Sequence, residues 1–233
     1  MKHFSNRYIF LFSTVMVVIV ATLLSLAATL LQPAQARNLE IEKKKSMLES
    51  IRVQATRDNS VELYSKHITE SFVINTRGEN IEGVDAFTVV LKNELRKAPE
   101  EQYLPVFRAV SLTGEQVIIL PVEGKGLWGP IFGYVSLESD MNTIYGVTFD
   151  HKGETPGLGA EINTSWFEEM FTGKKLFDND RFISVIVHKG GADQGDIHGV
   201  DAISGGTITS KGLENMLYDC IIKYSDYLLK NRI

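Results

Sequence analysis

The sequence has little of what several common classes of protein require. It holds a single cysteine, Cys220, in 233 residues, which excludes an intrachain disulfide and a cysteine-based zinc or iron–sulfur site. Positive charge is also scarce, since 24 lysines and arginines stand against 29 acidic residues and give a formal net charge of -5. The basic residues form no stripe interleaved with aromatic ones. The composition therefore indicates no nucleic-acid partner.

One long stretch lacks charge altogether. Residues 9–31 are apolar and are interrupted only by serine and threonine, which matches the length of a membrane-spanning helix. Lys2 and Arg7 before this stretch, and Ala34-Gln35-Ala36 after it, which resembles a small-residue cleavage site, are also typical of a cleaved secretory signal. The apolar core of such a signal is only roughly 7 to 15 residues long. We therefore predict a retained, single transmembrane helix.

The rest of the chain is organised around that helix. Residues 39–53 have the pattern of a charge-rich amphipathic helix. The predicted parts are a short cytoplasmic segment 1–8, the transmembrane helix 9–31, a juxtamembrane stalk 32–55 and a domain 56–233. Arg37 and the lysines of 43–45 outnumber the basic residues on the other side of the apolar stretch, so charge alone does not decide its orientation.

The periodicity of the remaining chain predicts an α+β domain. Helices are expected over 84–97, where Pro99 ends the pattern, over 162–171, where Gly173 does so, and over 213–229. Strands are expected over 106–110, 116–122, 131–137, 143–149 and 182–187. Because the first four strands follow one another closely, we expect them to pair as an antiparallel sheet flanked by helices.

Two neighbouring glycines lie between hydroxyl residues in 201–210, directly before the last predicted helix. Glycines let the main chain approach a ligand and expose its N–H groups, and the helix offers its positive end to an anion. Thr207 lies where a phosphoryl group would be held. The alternative is a glycine turn followed by a helix cap, for which Thr209 or Ser210 would serve.

The same segment resembles the flavinylation signature recognised by FMN transferases: an Asp, a Ser or Thr, a Gly, usually an Ala, and the Thr or Ser that receives FMN. The residues that match are Asp201, Ser204, Gly205 and Thr207, with Gly206 in place of the usual Ala. The resemblance implies that Thr207 holds FMN through a phosphoester. It also implies that Asp201 is needed by the flavin transferase, which takes FMN from FAD with a divalent metal. Ser204, Gly205, Gly206 and Thr209 are expected to bind the cofactor.

A second segment, 151–159, resembles the loop that follows a strand in the same FMN-binding family. Its proline and glycines make a stiff but unshielded loop, in which polar and apolar contacts to an isoalloxazine ring are expected. The expected contacts are Thr155, Gly157, Leu158 and Gly159. For His151 and Glu154 two interpretations stay open, a direct flavin contact or a surface turn with a local ion pair.

A third segment, 124–134, carries an aromatic cluster on a glycine-rich turn. Leu127 and Trp128 are expected to form a wall of the flavin site, with plain packing in a turn as the alternative. Together with residues 147–150 and the N-terminal anchor, nearly the whole chain resembles the family of C subunits of the sodium-translocating NADH:quinone reductase. The G subunit of the Rnf electron-transport complex shares both flavin loops and is the alternative.

This resemblance implies an electron-transfer subunit with FMN as its cofactor, in a complex that couples NADH oxidation by quinone to Na+ export. No acid–base residues and no metal ligands are required of the chain itself. The implied partners are iron–sulfur membrane subunits, the FMN-carrying B subunit, the membrane and a flavin transferase. The family resides in the bacterial inner membrane with the FMN domain on the periplasmic side. That side agrees with the rule that long domains are translocated largely regardless of charge.

Two functions of other classes are alternatives to this one. A hydrolase would combine Ser204 with His151 and Asp201, but no nucleophile-elbow pattern surrounds the serine. A metal-binding module would use the acidic loop 193–201, which holds Asp193, Asp196 and His198 as well. The spacing matches neither an EF-hand nor a zinc pattern, and we expect a solvated loop there.

Overall fold

The computed structural model describes residues 5–232, which form two compact units divided between Lys43 and Lys44. The predicted borders at 8, 31 and 55 differ from this division and stay predictions. Residues 1–4 of the predicted cytoplasmic segment lie outside the described residues.

Helix α1 (Asn6–Ser50) joins the two predicted helices at 9–31 and 39–53 into one and contains Pro33. Among residues 5–232 it is the one helix with the length and composition to cross a membrane. Three of its threonines bond within the helix, as in Thr14, which donates to the carbonyl of Phe10 at 2.9 Å. A helix satisfies such a group internally where water is absent.

The second unit is built on a six-stranded antiparallel sheet. The strands are β1 (Ile68–Ile74), β2 (Asn80–Ile81), β3 (Leu104–Val110), β4 (Gln116–Lys125), β5 (Pro130–Leu137) and β6 (Ile144–His151). Their order is β2-β1-β3-β4-β5-β6. The first four of the five strands predicted from the sequence are confirmed as β3 to β6, and so is their antiparallel pairing. Strands β1 and β2 were not predicted, because exposed polar residues interrupt the apolar pattern of β1.

Both faces of this sheet are buried. On β4, Val117 and Ile119 belong to one hydrophobic cluster, and Ile118 and Leu120 belong to the other. Successive side chains of a strand point to opposite faces, so each cluster marks one face. Such strands appear as nearly continuous apolar runs in the sequence.

Short elements complete the unit. The helices are α2 (Ser60–His67), α3 (Leu91–Glu94), α4 (Ser165–Glu169), α5 (Thr207–Ile221) and α6 (Ser225–Lys230). The 3-10 turns are Ala86–Thr88, Pro99–Glu101, Gly159–Asn163 and Ile222–Tyr224. Two small sheets pair β7 (Phe177–Asp178) with β8 (Arg181–Phe182) and β9 (Ile186–His188) with β10 (Gly199–Asp201). The α+β class is confirmed.

The predicted helix over 84–97 is wrong. Val89 and Val90 are extended and separate a 3-10 turn from helix α3. Phe87 before this break packs with the cluster on one face of the sheet, whereas Leu91 after it belongs to the cluster on the other face. A single helix cannot bury both side chains, so tertiary packing overrides the helical periodicity.

Three other predicted elements are divided. The helix predicted over 213–229 consists of part of α5, the 3-10 turn Ile222–Tyr224 and α6. The helix predicted over 162–171 is split at Thr164, which is extended with φ -91° and ψ 141°. The strand predicted over 182–187 is interrupted at Ser184, which has a φ of 71°. A left-handed residue cannot continue an extended strand, so β8 and β9 pair with different partners.

Candidate functional site

The last predicted helix begins earlier than expected, at Thr207 instead of residue 213. Gly206 precedes it as the N-cap and supplies no side chain to the helix end. Gly205 has a φ of 74°, in the left-handed region that favours glycine. The main-chain N–H groups that open a helix have no intrahelical acceptor. The start of α5 therefore has the donors and the positive dipole that attract an anion.

The hydroxyl residues of this loop fall into two pairs. Ser204 and Thr207 are exposed, and neither hydroxyl makes a hydrogen bond with another residue of the described chain. Thr209 and Ser210 are each 1% exposed. Thr209 donates to Oε2 of Glu154 at 2.6 Å. The Ser210 hydroxyl accepts from the N–H of the loop residue Ile203 at 3.1 Å, which ties the loop to the helix.

Glu154 is a residue whose importance the sequence did not reveal. The interpretation as a surface turn is wrong, because its side chain is only 4% exposed. Oε1 accepts from the N–H of Trp128 at 2.8 Å, and the Glu154 N–H donates to Nδ1 of His151 at 3.2 Å. The signal available in the sequence was a carboxylate inside a glycine-rich loop that contains few charges.

Two glycines make room for this carboxylate. A Cβ on Gly126 would lie 2.5 Å from Oε1 of Glu154, and one on Gly159 would lie 2.5 Å from its Oε2. A side chain at either position would displace the carboxylate from its present place. Gly159 is one of the predicted cofactor contacts and is buried against the carboxylate.

Opposing effects act on the pKa of Glu154. Burial favours the neutral acid and raises the pKa. Hydrogen bonds from the Thr209 hydroxyl and from the N–H groups of Trp128 and Gly129 outweigh burial, and the pKa is lowered overall. Glu154 is therefore ionised at neutral pH.

An exposed apolar surface surrounds the start of α5. Leu127, Trp128 and Leu158 are 44%, 69% and 42% exposed. Leu158 packs directly on the loop before the helix, since a Cβ on Gly205 would lie 2.6 Å from its Cδ2. Large side chains left in solvent around a polar centre are typical of a binding site.

The structure thus brings together the three segments singled out in the sequence. The turn between β4 and β5 carries Leu127 and Trp128, the loop after β6 carries Glu154 and Leu158, and the loop after β10 leads to Thr207. Of the other predicted contacts, Thr155 and Gly157 are exposed in the second loop. Direct contact of any of these residues with a cofactor stays a prediction.

Asp201 lies at the end of β10 and is exposed. Its Oδ1 accepts from the N–H of Ala192 at 2.7 Å, so one oxygen orders the preceding loop. The predicted role of Asp201 in recognition by a flavin transferase stays a prediction.

The geometry supports neither of the other two functions. In the described residues no hydrogen bond joins Ser204, His151 and Asp201, and Nδ1 of His151 is already engaged by the Glu154 N–H. Residues 5–232 contain no group of three side chains placed to hold a metal ion. In the acidic loop, the carboxylate of Asp196 accepts from the N–H of His198 at 2.8 Å instead.

Residues 126–222 match the family of FMN-binding domains. This range includes the turn between β4 and β5 and the other two segments of the site, and FMN is the cofactor of the chain. The residues present fit the group. The open N–H groups of α5 and the exposed Ser204 and Thr207 hydroxyls suit a phosphate, and the apolar surface around Leu158 suits a planar ring.

Relatives match over most of the chain. The C subunit of the Na(+)-translocating NADH-quinone reductase of Vibrio alginolyticus is 34% identical over 209 residues, which cover 83% of this chain and 81% of that protein. The Haemophilus ducreyi C subunit is 33% identical over 204 residues, which cover 81% and 79%. The crystal structure of the Parabacteroides distasonis C subunit superposes with a TM-score of 0.78 at 42% identity, covering 85% of this chain and 96% of that one. By its sequence, its sheet and its loops, this chain belongs to the family of C subunits of the Na(+)-translocating NADH-quinone reductase.

Proposed function

We propose that this chain is the membrane-anchored subunit that holds FMN through a phosphoester to Thr207, in a complex that couples NADH oxidation by quinone to Na+ export. The proposal that Thr207 is the attachment site rests on the solvent exposure and hydrogen bonding of the four hydroxyls near the start of α5. Thr207 is exposed at the first position of the helix, whereas Thr209 and Ser210 are buried and engaged. Ser204, the other exposed hydroxyl, lies before the left-handed Gly205 and outside the helix.

The attachment step is a phosphoryl transfer. The Thr207 oxygen forms a bond to the phosphorus of the FMN half of FAD, the pyrophosphate bond to that phosphorus breaks, and AMP leaves. The hydroxyl proton passes to the flavin transferase or to water, so the step needs no oxidant. The N–H groups at the start of α5 bind the negative phosphate before and after the transfer.

FMN, once bound, supplies the electron chemistry. The chain retains the cofactor and surrounds it. The exposed side chains of Leu127, Trp128 and Leu158 would contact the ring and exclude water from it. Since the bond is covalent, the cofactor cannot be lost to a compartment that has no FMN pool.

Helix α1 anchors the subunit in the bacterial inner membrane as a single span, with the FMN domain on the periplasmic side. Iron–sulfur membrane subunits deliver electrons, and the FMN-carrying B subunit accepts them. The relatives described above are subunits of the NADH-quinone reductase. They favour this complex over an Rnf-type complex with its related G subunit.

The attachment is tested by retained flavin fluorescence in a denaturing gel, after expression of the full chain together with a flavin transferase. Wild type and T207S should fluoresce, because both keep a hydroxyl, and T207V should be dark although it keeps the shape of threonine. S204A removes the other exposed hydroxyl and should still form the covalent bond, at a lower yield because Ser204 is expected to bind the cofactor. The matched control is S139A, which removes an exposed hydroxyl outside the three loops and should fluoresce like wild type. Mass spectrometry of the peptide that contains residue 207 should show the added FMN. Fluorescence that persists in T207V would place the bond elsewhere.

A further inference from the structure

A buried carboxylate links the three loops of the site. Glu154 belongs to the loop after β6, its Oε1 accepts from Trp128 in the turn between β4 and β5, and its Oε2 accepts from Thr209 in the first turn of α5. The hydroxyl of Thr209 is separated from Glu154 by 55 residues of chain. One side chain therefore fixes three segments that are far apart in sequence.

Packing alone does not account for a carboxylate at this position. Burying an ionised group is costly unless it is hydrogen-bonded or paired. No lysine or arginine stabilises Glu154 among the described residues, and its charge is held by N–H and O–H donors. Charge-assisted hydrogen bonds of this kind are short and directional, and they hold their donors in place more firmly than neutral ones.

We propose that Glu154 is a positioning residue for flavin attachment. Its carboxylate fixes the first turn of α5, which carries the Thr207 hydroxyl, relative to the turn that carries Trp128. This inference rests on the proposed function, in which FMN is esterified to Thr207. Glu154 acts through Thr209 and Trp128 and does not contact the reacting atoms.

The effect of the link follows from the position of its ends. Thr209 lies in the same helical turn as Thr207, so the bond to Glu154 fixes the start of the helix from its buried side while the acceptor hydroxyl faces solvent. Without the carboxylate, the Thr209 hydroxyl and the Trp128 N–H lose their acceptor. Misplacement of a reacting group by about 1 Å lowers a rate on the order of a hundredfold.

The experiment compares rates of flavin incorporation by full-length variants, given a flavin transferase and FAD and normalised to folded protein by circular dichroism. E154A should lose on the order of tenfold or more of the rate. E154Q should recover much of it, because the amide oxygen still accepts from Trp128 and the amide N–H still reaches the Thr209 oxygen. T209V removes the hydroxyl and leaves the carboxylate, and it should be slow as well.

The matched control is E214Q. Glu214 also lies on α5, and its Oε2 accepts from the N–H of Val187 at 2.9 Å. This substitution removes a negative charge and the ion pair with Lys211, keeps an acceptor for the Val187 N–H and does not touch the three loops. E214Q should incorporate flavin at the wild-type rate.

A second measurement separates positioning at the site from general support of the fold. In the flavinylated proteins, E154Q should raise the midpoint potential of the flavin, because loss of a nearby negative charge favours uptake of electrons. E214Q should leave the potential unchanged. A purely structural Glu154 would move the melting temperature and not the potential.

The outcomes distinguish this inference from the function on which it rests. If wild type and T207S are modified, T207V is not, and E154A and T209V match the wild-type rate, the role of Glu154 is overturned and the attachment site stands. If E154A fails to fold, the incorporation rate of T209V and the flavin potential of E154Q test the role of Glu154. A wild-type rate and an unchanged potential would overturn that role. If wild type takes up no flavin at all, the proposed attachment and the role of Glu154 are both overturned.

Discussion

The α-carbon of Gly212 on helix α5 faces the carbonyl oxygen of Lys125 at the end of strand β4 so closely that a Cβ on residue 212 would overlap that oxygen. The neighbouring Gly124 is equally tight, since a Cβ there would lie 2.6 Å from the Cβ of Met216. Helix and strand are thus in near backbone contact next to the turn that carries Trp128. This contact sets the position of α5 relative to the first loop of the site.

Replacement of Gly212 by alanine should destabilise the domain. Alanine favours helix over glycine by about 1 kcal/mol, but the backbone of β4 would have to move, and such overpacking costs typically about 1–3 kcal/mol. We expect a net loss of on the order of 1 kcal/mol in the free energy of unfolding, measured with urea. G153A is the control, because a Cβ there meets nothing within 4 Å. A G212A protein more stable than G153A would contradict the contact.

Glu168 should make stability depend on pH near neutrality. Burial is the main reason that the pKa of Glu168 rises from 4.5 to about 7. Acidic neighbours raise the pKa further, and the hydrogen bond from the Phe149 N–H lowers it in part. Between pH 4.5 and about 7, the unfolded chain has released the proton from Glu168 and the folded state still holds it. The free energy of unfolding therefore falls as pH rises through this range.

E168Q cannot ionise and should remove this dependence. Relative to wild type it should gain on the order of 2 kcal/mol between pH 5 and pH 8, after allowance for partial exposure. Urea midpoints at the two pH values measure the effect. E62Q, at an exposed position of α2, should show no such gain. Parallel pH curves for wild type and E168Q would refute the raised pKa.

The proposed periplasmic side of the domain is open to a labelling test. Cys220 is 1% exposed and should not react in the folded protein. In intact spheroplasts, a membrane-impermeant maleimide should label K189C, on an exposed turn of the domain, and should leave S5C unlabelled. After permeabilisation both should react. The reverse pattern would place the domain in the cytoplasm.

Local patterns in the sequence were sufficient for β3 to β6, because their apolar runs are bounded by turn residues such as Gly114. Local patterns failed where packing against residues distant in sequence determines the backbone conformation. The helix predicted over 84–97 breaks because Phe87 and Leu91 pack on opposite faces of the sheet. Strand β1 was missed because its buried residues, Val73 and Ile74, lie only at its end.

The same contrast between local patterns and long-range contacts applies to the functional site. The glycine and hydroxyl pattern located the loop before α5, and the resemblance to a known family singled out Thr207 within it. The carboxylate of Glu154 was not recognised, since its donors lie 26 and 55 residues away in sequence. Contacts of that range depend on how β4, β6 and α5 assemble, and no periodicity in a short window encodes them.

If FMN is attached to Thr207 as proposed, the solvent exposure of this hydroxyl also determines when the cofactor can be loaded. A side chain that stands free on the finished domain is available to a separate enzyme after translocation and folding are complete. In the proposed periplasmic orientation, the polypeptide can cross the membrane unmodified, and loading then uses the helix start that only the folded domain presents. Maturation would then serve as a check on the quality of the fold.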